Sequence, residues 1–301
     1  MKYRKFFFVL LFCSFFVQAQ LELVVLGTAQ DAGAPQIGCE KSCCKMRWKT
    51  GEKEAVVALG VIDQKYNSHY LFEATPDIGQ QLHDLAQAGG TSQLGGVFLT
   101  HAHIGHYSGL MFLGKEALGG KNIPVYSFPK MREYLETNGP WEQLVSENNI
   151  ALNTLTTAAL TLSDNLKIVP FTVPHRDEYS ETVGYTIIGP NKTALFIPDI
   201  DKWERWETSI EELIKKVDYA FLDATFYDGS ELPNRDMNAI PHPFVVESME
   251  RLSGLSPEDK KKVYFIHFNH TNPLLNENST AVKTVQANGF QIARKGLKVA
   301  L

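Results

Sequence analysis

Short apolar runs, separated by polar turns, recur along the chain at residues 21–26, 55–62, 69–72, 97–100, 123–128, 166–173, 182–188, 193–197, 219–222 and 263–267, and each reads as a strand. Longer stretches between them carry helical signals. Thr75-Pro76-Asp77 predicts a helix running through Leu85, with Thr75 as cap and Pro76 in the first turn. Further helices are expected from Tyr107, over residues 131–145 with a break at Gly139-Pro140, and over 206–216, 243–252 and 279–287. The runs 182–188 and 193–197 flank Gly189-Pro190-Asn191-Lys192 and predict an antiparallel pair. No repeat, low-complexity tract or flexible linker interrupts this alternation, so one mixed domain is expected.

The first residues stand apart from that pattern. Lys2, Arg4 and Lys5 precede an apolar core over residues 6–17, and Val17-Gln18-Ala19 supplies a cleavage signal ahead of Gln20. This predicts a signal peptide over residues 1–19, a folded domain over 20–301 and a periplasmic or secreted protein. Cys13 fits a lipid anchor less well, because the apolar run continues past it. The core is also too short for a membrane span, and no transmembrane segment is expected in the mature chain.

Composition adds two bounds. Hydrophobic residues make up 44% of 301, enough for a large core, and the net charge of -5 gives no basic signature, so nucleic acid is not indicated as a partner. A small-molecule substrate is the expected partner. After Cys13, the cysteines are Cys39, Cys43 and Cys44, three thiols in six residues behind a loop containing Gly33, Pro35 and Gly38. An odd number argues against a plain disulfide framework and suits a structural metal knuckle that borrows a fourth ligand. One disulfide plus a spare thiol is the alternative.

The chemistry concentrates at Thr100-His101-Ala102-His103-Ile104-Gly105-His106, where a strand gives way to a helix. Residues two apart on a strand face the same way, roughly 6.6 Å from each other, so His101 and His103 can turn to one point, and His106 can close on it after the bend. Neutral imidazole is a strong ligand for transition metals. A histidine-rich surface loop is the bland reading, but three of the nine histidines stand in these six residues. His175, Asp199, Asp223 and His267 each fall at the end of a strand, and strand-end side chains gather into one cleft.

His-Ala-His-Ile-Gly-His followed by a lone His, a lone Asp and a late His resembles the metallo-β-lactamase superfamily, whose pattern is His-x-His-x-Asp-His. The likeness is greatest to its pyrroloquinoline quinone biosynthesis protein B-like group. It extends over the loop from Gly27, Ala74 to Leu82, the histidine turn, Leu222-Asp223-Ala224-Thr225-Phe226 and His267-Phe268-Asn269-His270-Thr271-Asn272-Pro273. The resemblance implies an α+β fold, an αββα sandwich with a metal cleft at one edge of the two sheets. It further implies a first metal site of His101, His103 and His175, a second of His106 and His267, and Asp199 bridging them. Asp223 and His242 resemble the general-acid pair of related phosphodiesterases. Gly105 departs from the pattern where the superfamily has an aspartate ligand, and leaves the second site with two imidazoles and one shared carboxylate. His270 either compensates there or completes the cysteine knuckle, whose Cys-x-x-x-Cys-Cys spacing departs from the relatives' Cys-x-Cys-x-x-Cys.

Three readings of function follow. One or two zinc ions, with iron or manganese as alternatives, would lower the pKa of a bound water from about 15.7 toward about 7. That favours an exported metal-dependent hydrolase acting on phosphodiesters or on lactones and other esters. An iron-dependent oxygenase tied to quinone cofactor synthesis is the second reading. The third is a binding module that has lost catalysis through Gly105, and it predicts that Gly105→Asp raises metal content. Substrate selection is expected from residues 203–206, 227–237 and 131–145, although Trp203 and Trp206, three apart on an expected helix, suit packing better.

Overall fold

The computed structural model describes residues 21–90, 93–232, 235–236 and 239–301, and the signal peptide expected over 1–19 lies outside them. The strands in chain order are β1 (Leu21–Gly27), β2 (Ala58–Asp63), β3 (Ser68–Phe72), β4 (Leu94–Phe98), β5 (Ile123–Ser127), β6 (Ile150–Thr154), β7 (Leu160–Thr161), β8 (Lys167–Thr172), β9 (Val183–Ile188), β10 (Thr193–Ile197), β11 (Tyr219–Asp223), β12 (Val263–Ile266), β13 (Gln291–Ile292) and β14 (Lys298–Ala300). They form two seven-stranded sheets, ordered β14-β1-β2-β3-β4-β5-β6 and β13-β12-β11-β10-β9-β8-β7. In the first sheet, β3 to β6 run parallel; in the second, β10 to β13 do. The expected hairpin is present, with β9 antiparallel to β10.

The central strands bury both faces, which explains why they read as continuous apolar runs rather than alternating ones. Between the sheets lie Phe72, Phe98, Tyr185, Phe196 and Phe221, all fully buried, each contributing roughly 1.5–3 kcal/mol through its removal from water. Phe98 stacks on Phe72 at 4.8 Å and on Tyr126 at 4.5 Å. Helices cover the outer faces: Ile78–Gly89 packs Ile78 and Leu85 on the first sheet, and Val245–Arg251 and Thr280–Ala287 pack on the second. The sheets are therefore sandwiched between helical layers, as expected.

Some local expectations shift. The first long helix starts at Ile78 with Asp77 at its cap position, because the Thr75 hydroxyl accepts from the Asp77 amide and holds a turn ahead of the helix. The segment after the histidine turn is a single α-turn, Ile104–Tyr107, running into a 3-10 helix, Ser108–Leu113, where Gly109 lets the Thr75 backbone approach too closely for any Cβ. The helix over 131–145 divides at the expected break into Pro129–Thr137 and Trp141–Ser146. Trp203 lies in a 3-10 turn, Trp203–Arg205, and donates its indole N–H to Ser248. It is core, as is the inner face of Trp206.

The two sheets are tied together where the histidine turn begins. Tyr185 of the second sheet donates its hydroxyl to the Leu99 carbonyl, Val183 N–H donates to the Thr100 carbonyl at 3.1 Å, and Ala102 N–H donates to Ser180 Oγ at 2.8 Å. The turn is thus fixed from both sides before any ligand arrives.

Candidate metal centre

Strand ends deliver the donors as the spacing predicts. β4 leads to His101 and His103, β8 to His175, β10 to Asp199, β11 to Asp223 and β12 to His267. His101, His103, His175 and Asp199 bring ligand atoms within 4.8 Å of one another, and so do Asp31, His106 and His267. Asp199, only 2% exposed, lies between the two groups. Its Oδ1 is 3.2 Å from His175 Nε2, and its Oδ2 is 3.3 Å from His101 Nε2 and 3.8 Å from both His106 Nε2 and His267 Nε2.

For His101, His106 and His267 the far side of the ring is held by a partner. The Thr100 hydroxyl donates to Glu73 Oε1 at 2.6 Å and so accepts from His101 Nδ1 at 2.8 Å. The same Glu73 oxygen takes His106 Nδ1 at 3.1 Å. At the other strand end, the Thr225 hydroxyl donates to Asp223 Oδ1 at 2.7 Å and accepts from His267 Nδ1 at 2.8 Å. Such outer hydrogen bonds fix tautomer and orientation of metal-binding imidazoles. Glu73 at φ 83° and His267 at φ 68° are in a backbone region that side chains other than glycine rarely adopt, strain of the kind that collects at functional sites.

Donor chemistry tests whether these residues fit a metal ion. His106 Nε2, His267 Nε2, both nitrogens of His175, Asp31 Oδ1 and Asp199 Oδ1 are buried with no hydrogen-bond partner among the described residues. Each such orphan costs roughly 1–3 kcal/mol unless something pairs with it. Six such atoms on five residues gather in one cluster, with Asp31 Oδ1 facing His106 Nε2 and Asp199 Oδ1 facing His175 Nε2 at 3.2 Å, and the set fits a cation.

Electrostatics divides the cluster. Burial pushes His101 well below the ordinary imidazole range, lowers His103 and carries His175 down to about 4, so all three are neutral ligands at pH 7. Burial acts the same way on His106 and His242 but is overcome. Carboxylates of Glu73 and Asp31 hold His106 well above its usual value, and those of Asp223 and Asp199 carry His242 up to about 10. Burial would likewise raise Asp199, yet the surrounding His175 and His242 keep it well below the carboxylate range.

His242 lines a cavity of about 310 Å³, together with Gln30, Arg176, Phe226, Leu232 and Arg235. Its Nδ1 is 2.9 Å from Asp223 Oδ2. Asp223 was expected to share the acid role with His242. It is fully buried, with its oxygens engaged by Thr225, by the Ile200 amide at 3.1 Å and by His242, so it positions His242 without facing the cavity. A further grouping of Asp199, Asp223, His242 and His267 also falls within 4.8 Å, but several of its atoms are those already committed to these hydrogen bonds.

The cysteines form a separate centre. Cys39, Cys43 and Cys44 are free thiols, and with His270 their ligand atoms lie within 4.8 Å of one another. The Sγ atoms of Cys39 and Cys43, and of Cys43 and Cys44, are 3.9 Å apart. A tetrahedral zinc with Zn–S near 2.3 Å requires about 3.8 Å between sulfurs, so the knuckle fits a metal. The disulfide alternative is absent, and His270 sits with the cysteines rather than with the histidine turn. Burial pushes the Cys43 thiol up to about 12, and the neighbouring Cys44 and Cys39 sulfurs push the same way.

The family model for the Beta-lactamase superfamily domain matches residues 68–268, two thirds of the chain. The chain belongs to this superfamily. Coenzyme PQQ synthesis protein B of Methylorubrum extorquens strain PA1 is 26% identical over 314 residues, covering 93% of this chain and 100% of that protein. Among solved structures, zinc-bound PqqB from Methylobacterium extorquens aligns with a TM-score of 0.77 at 22% identity, covering 93% of this chain and 100% of that one. A diphosphatase from the PhnP family aligns with a TM-score of 0.65 at 23% identity, over 93% and 96% of the two chains. The superfamily sandwich and the PqqB-like architecture are the ones expected.

Against the superfamily pattern, one expectation needs correction. Gly105 does not leave the second group with a single carboxylate, because Asp31 places Oδ1 3.2 Å from His106 Nε2. Asp31 and Glu73 are the residues that sequence reasoning missed. Asp31 stands inside the Gly27 loop that carries the family likeness, but nothing local tied that loop to His106. Glu73 follows β3, one more polar residue at a strand end, and that position was its only signal.

Proposed function

We propose that this protein is a metal-dependent hydrolase of small phosphodiesters, with esters and lactones as the next class. One observation carries the reading: two converging donor sets sharing Asp199 lie beside a small cavity bounded by Arg176, Arg235 and the proton-bearing His242. His101, His103, His175 and Asp199 would hold one ion, and His106 and His267 would hold a second against the same carboxylate. When bound, zinc or a similar ion supplies an activated water at neutral pH and polarises the oxygen of the attacked centre.

The chain's own residues supply the rest. Guanidinium groups match phosphate oxygens in geometry and charge, so Arg176 and Arg235 suit an anionic substrate. His242, kept protonated by Asp223, is placed to give a proton to the departing alkoxide. Phe226 and Leu232 offer an apolar wall to an organic substituent. A volume of about 310 Å³ suits a small molecule. Likeness to a PhnP-family diphosphatase supports phosphorus chemistry. The basic and then apolar start of the chain supports export to the periplasm as its location.

Purified protein loaded with zinc or manganese is expected to turn over bis(p-nitrophenyl) phosphate or a related diester, to stop on chelation and to recover on metal return. Metal-loaded protein inert to diesters, esters and lactones would contradict the proposal. Relatives named for PQQ synthesis raise the oxidative alternative, and oxygen uptake by iron-loaded protein on the same panel distinguishes it from hydrolysis.

A further inference from the structure

We infer that Asp31 is the carboxylate ligand of the second metal position, delivered from the loop after β1 in place of the side chain that Gly105 lacks. The two residues compete for one space. A Cβ built on Gly105 would lie 2.3 Å from Asp31 Cα, 2.5 Å from Asp31 Oδ1 and 3.0 Å from Asp31 Cβ. The first of these is a backbone atom, so no rotation of a side chain relieves the collision. Glycine at 105 is what allows the Asp31 loop to approach, and the carboxylate then lies where a side chain on residue 105 would go.

The loop is anchored for this task. Phe268 N–H donates to the Thr28 carbonyl at 2.7 Å, and Gln30 N–H donates to the Phe268 carbonyl at 2.8 Å, which ties the residues before Asp31 to the residue after His267. Ala29 and Val57 share a further backbone bond at 2.8 Å. Asp31 is thereby carried with β1 and β12 to the face opposite His106. Its Oδ1, His106 Nε2 and His267 Nε2 fall within one ligand cluster, and all three atoms lack hydrogen-bond partners among the described residues. His106 and His267 are 0% exposed, so these unpartnered nitrogens are fully inside the protein.

A chain that had lost its second site would leave an open space beside Gly105; here the partly exposed Asp31 carboxylate fills it, with its Oδ1 buried against His106. Gly105 is therefore the complement of Asp31 rather than a lesion. The inference rests on the metal-centre part of the proposed function and is independent of the substrate.

Zinc content per chain and stepwise zinc affinity, measured on the whole protein by elemental analysis and chelator competition, test it without reference to activity. Asp31→Asn, which keeps the side-chain shape, is expected to lose one equivalent or to weaken the second binding step at least tenfold, with Asp31→Ala behaving alike. Gly105→Asp alone is expected to reduce zinc content by displacing the loop, the reverse of what a lost site predicts. Asp31→Gly combined with Gly105→Asp, which moves the carboxylate to the other backbone, is expected to regain the equivalent. A Co(II) absorption band sensitive to Asp31→Asn gives a second readout. Unchanged stoichiometry and affinity in folded Asp31→Asn would overturn the inference, as would Gly105→Asp binding more zinc than the parent. Asp31-dependent metal in a protein inert to every substrate would sink the hydrolase reading alone; turnover with one ion whatever residue 31 is would sink this inference alone.

Discussion

The two halves of the cleft are built from the same residue types and behave oppositely. Around His101, His103 and His175, burial governs and the rings are kept neutral, with Asp199 the one carboxylate in the set. Around His106 and His242, carboxylates crowd in from four separate strand ends and loops: Asp31, Glu73, Asp199 and Asp223. That charge raises His106 and His242 above the ordinary imidazole range. The first half is a neutral cup that awaits an ion, whereas the second is a charged one that requires either protons or metal.

Glu73 gives the largest handle on this contrast outside the ligands themselves. Glu73→Gln keeps the shape but removes the charge that sets His106 and, through Thr100, the ring of His101. Metal affinity is expected to fall by roughly 10–100-fold, mainly in the Asp31, His106 and His267 set, as chelator competition would register. Equal weakening of both binding steps would erase the distinction between the halves.

A smaller effect separates them by pH in metal-free protein. His175 is pushed down to about 4, so the stability of its neutral form is present above the unfolded value near 6.5 and is lost as pH falls toward 4. His242 is carried up to about 10, so its contribution is complete below about pH 6.5 and is lost as pH rises through about 10. Thermal midpoints should fall on both limbs by several degrees. His175→Gln should flatten the acid limb and His242→Gln the alkaline one; one variant flattening both limbs would refute the division.

The same contrast explains what could be read from sequence. His101, His103 and His106 are adjacent in the chain, and His175, Asp199 and His267 each end an apolar strand, so periodicity alone assembled most of the donors. β4, β8, β10, β11 and β12 appeared within a few residues of their final bounds for the same reason. Asp31 and Glu73 were opaque because their roles depend on long-range partners: Asp31 acts through an approach that only Gly105 permits, and Glu73 through a ring 33 positions later. The assignment of His270 to the cysteines was likewise undecided until the chain was folded, since a short segment carries both His267 and His270 yet sends them to different centres. The early strands were clear, but β6, β7, β13 and β14 were missed because they are short or sit at sheet edges with mixed burial.

The central claim is that two ions share Asp199, with Asp31 completing the second. Anomalous diffraction at the zinc edge from crystals of the zinc-loaded protein tests it most directly. The account predicts two peaks in the cleft, one among His101, His103, His175 and Asp199 and one contacting Asp31, His106 and His267. A single cleft peak with Asp31 turned away from it, or none, would contradict it.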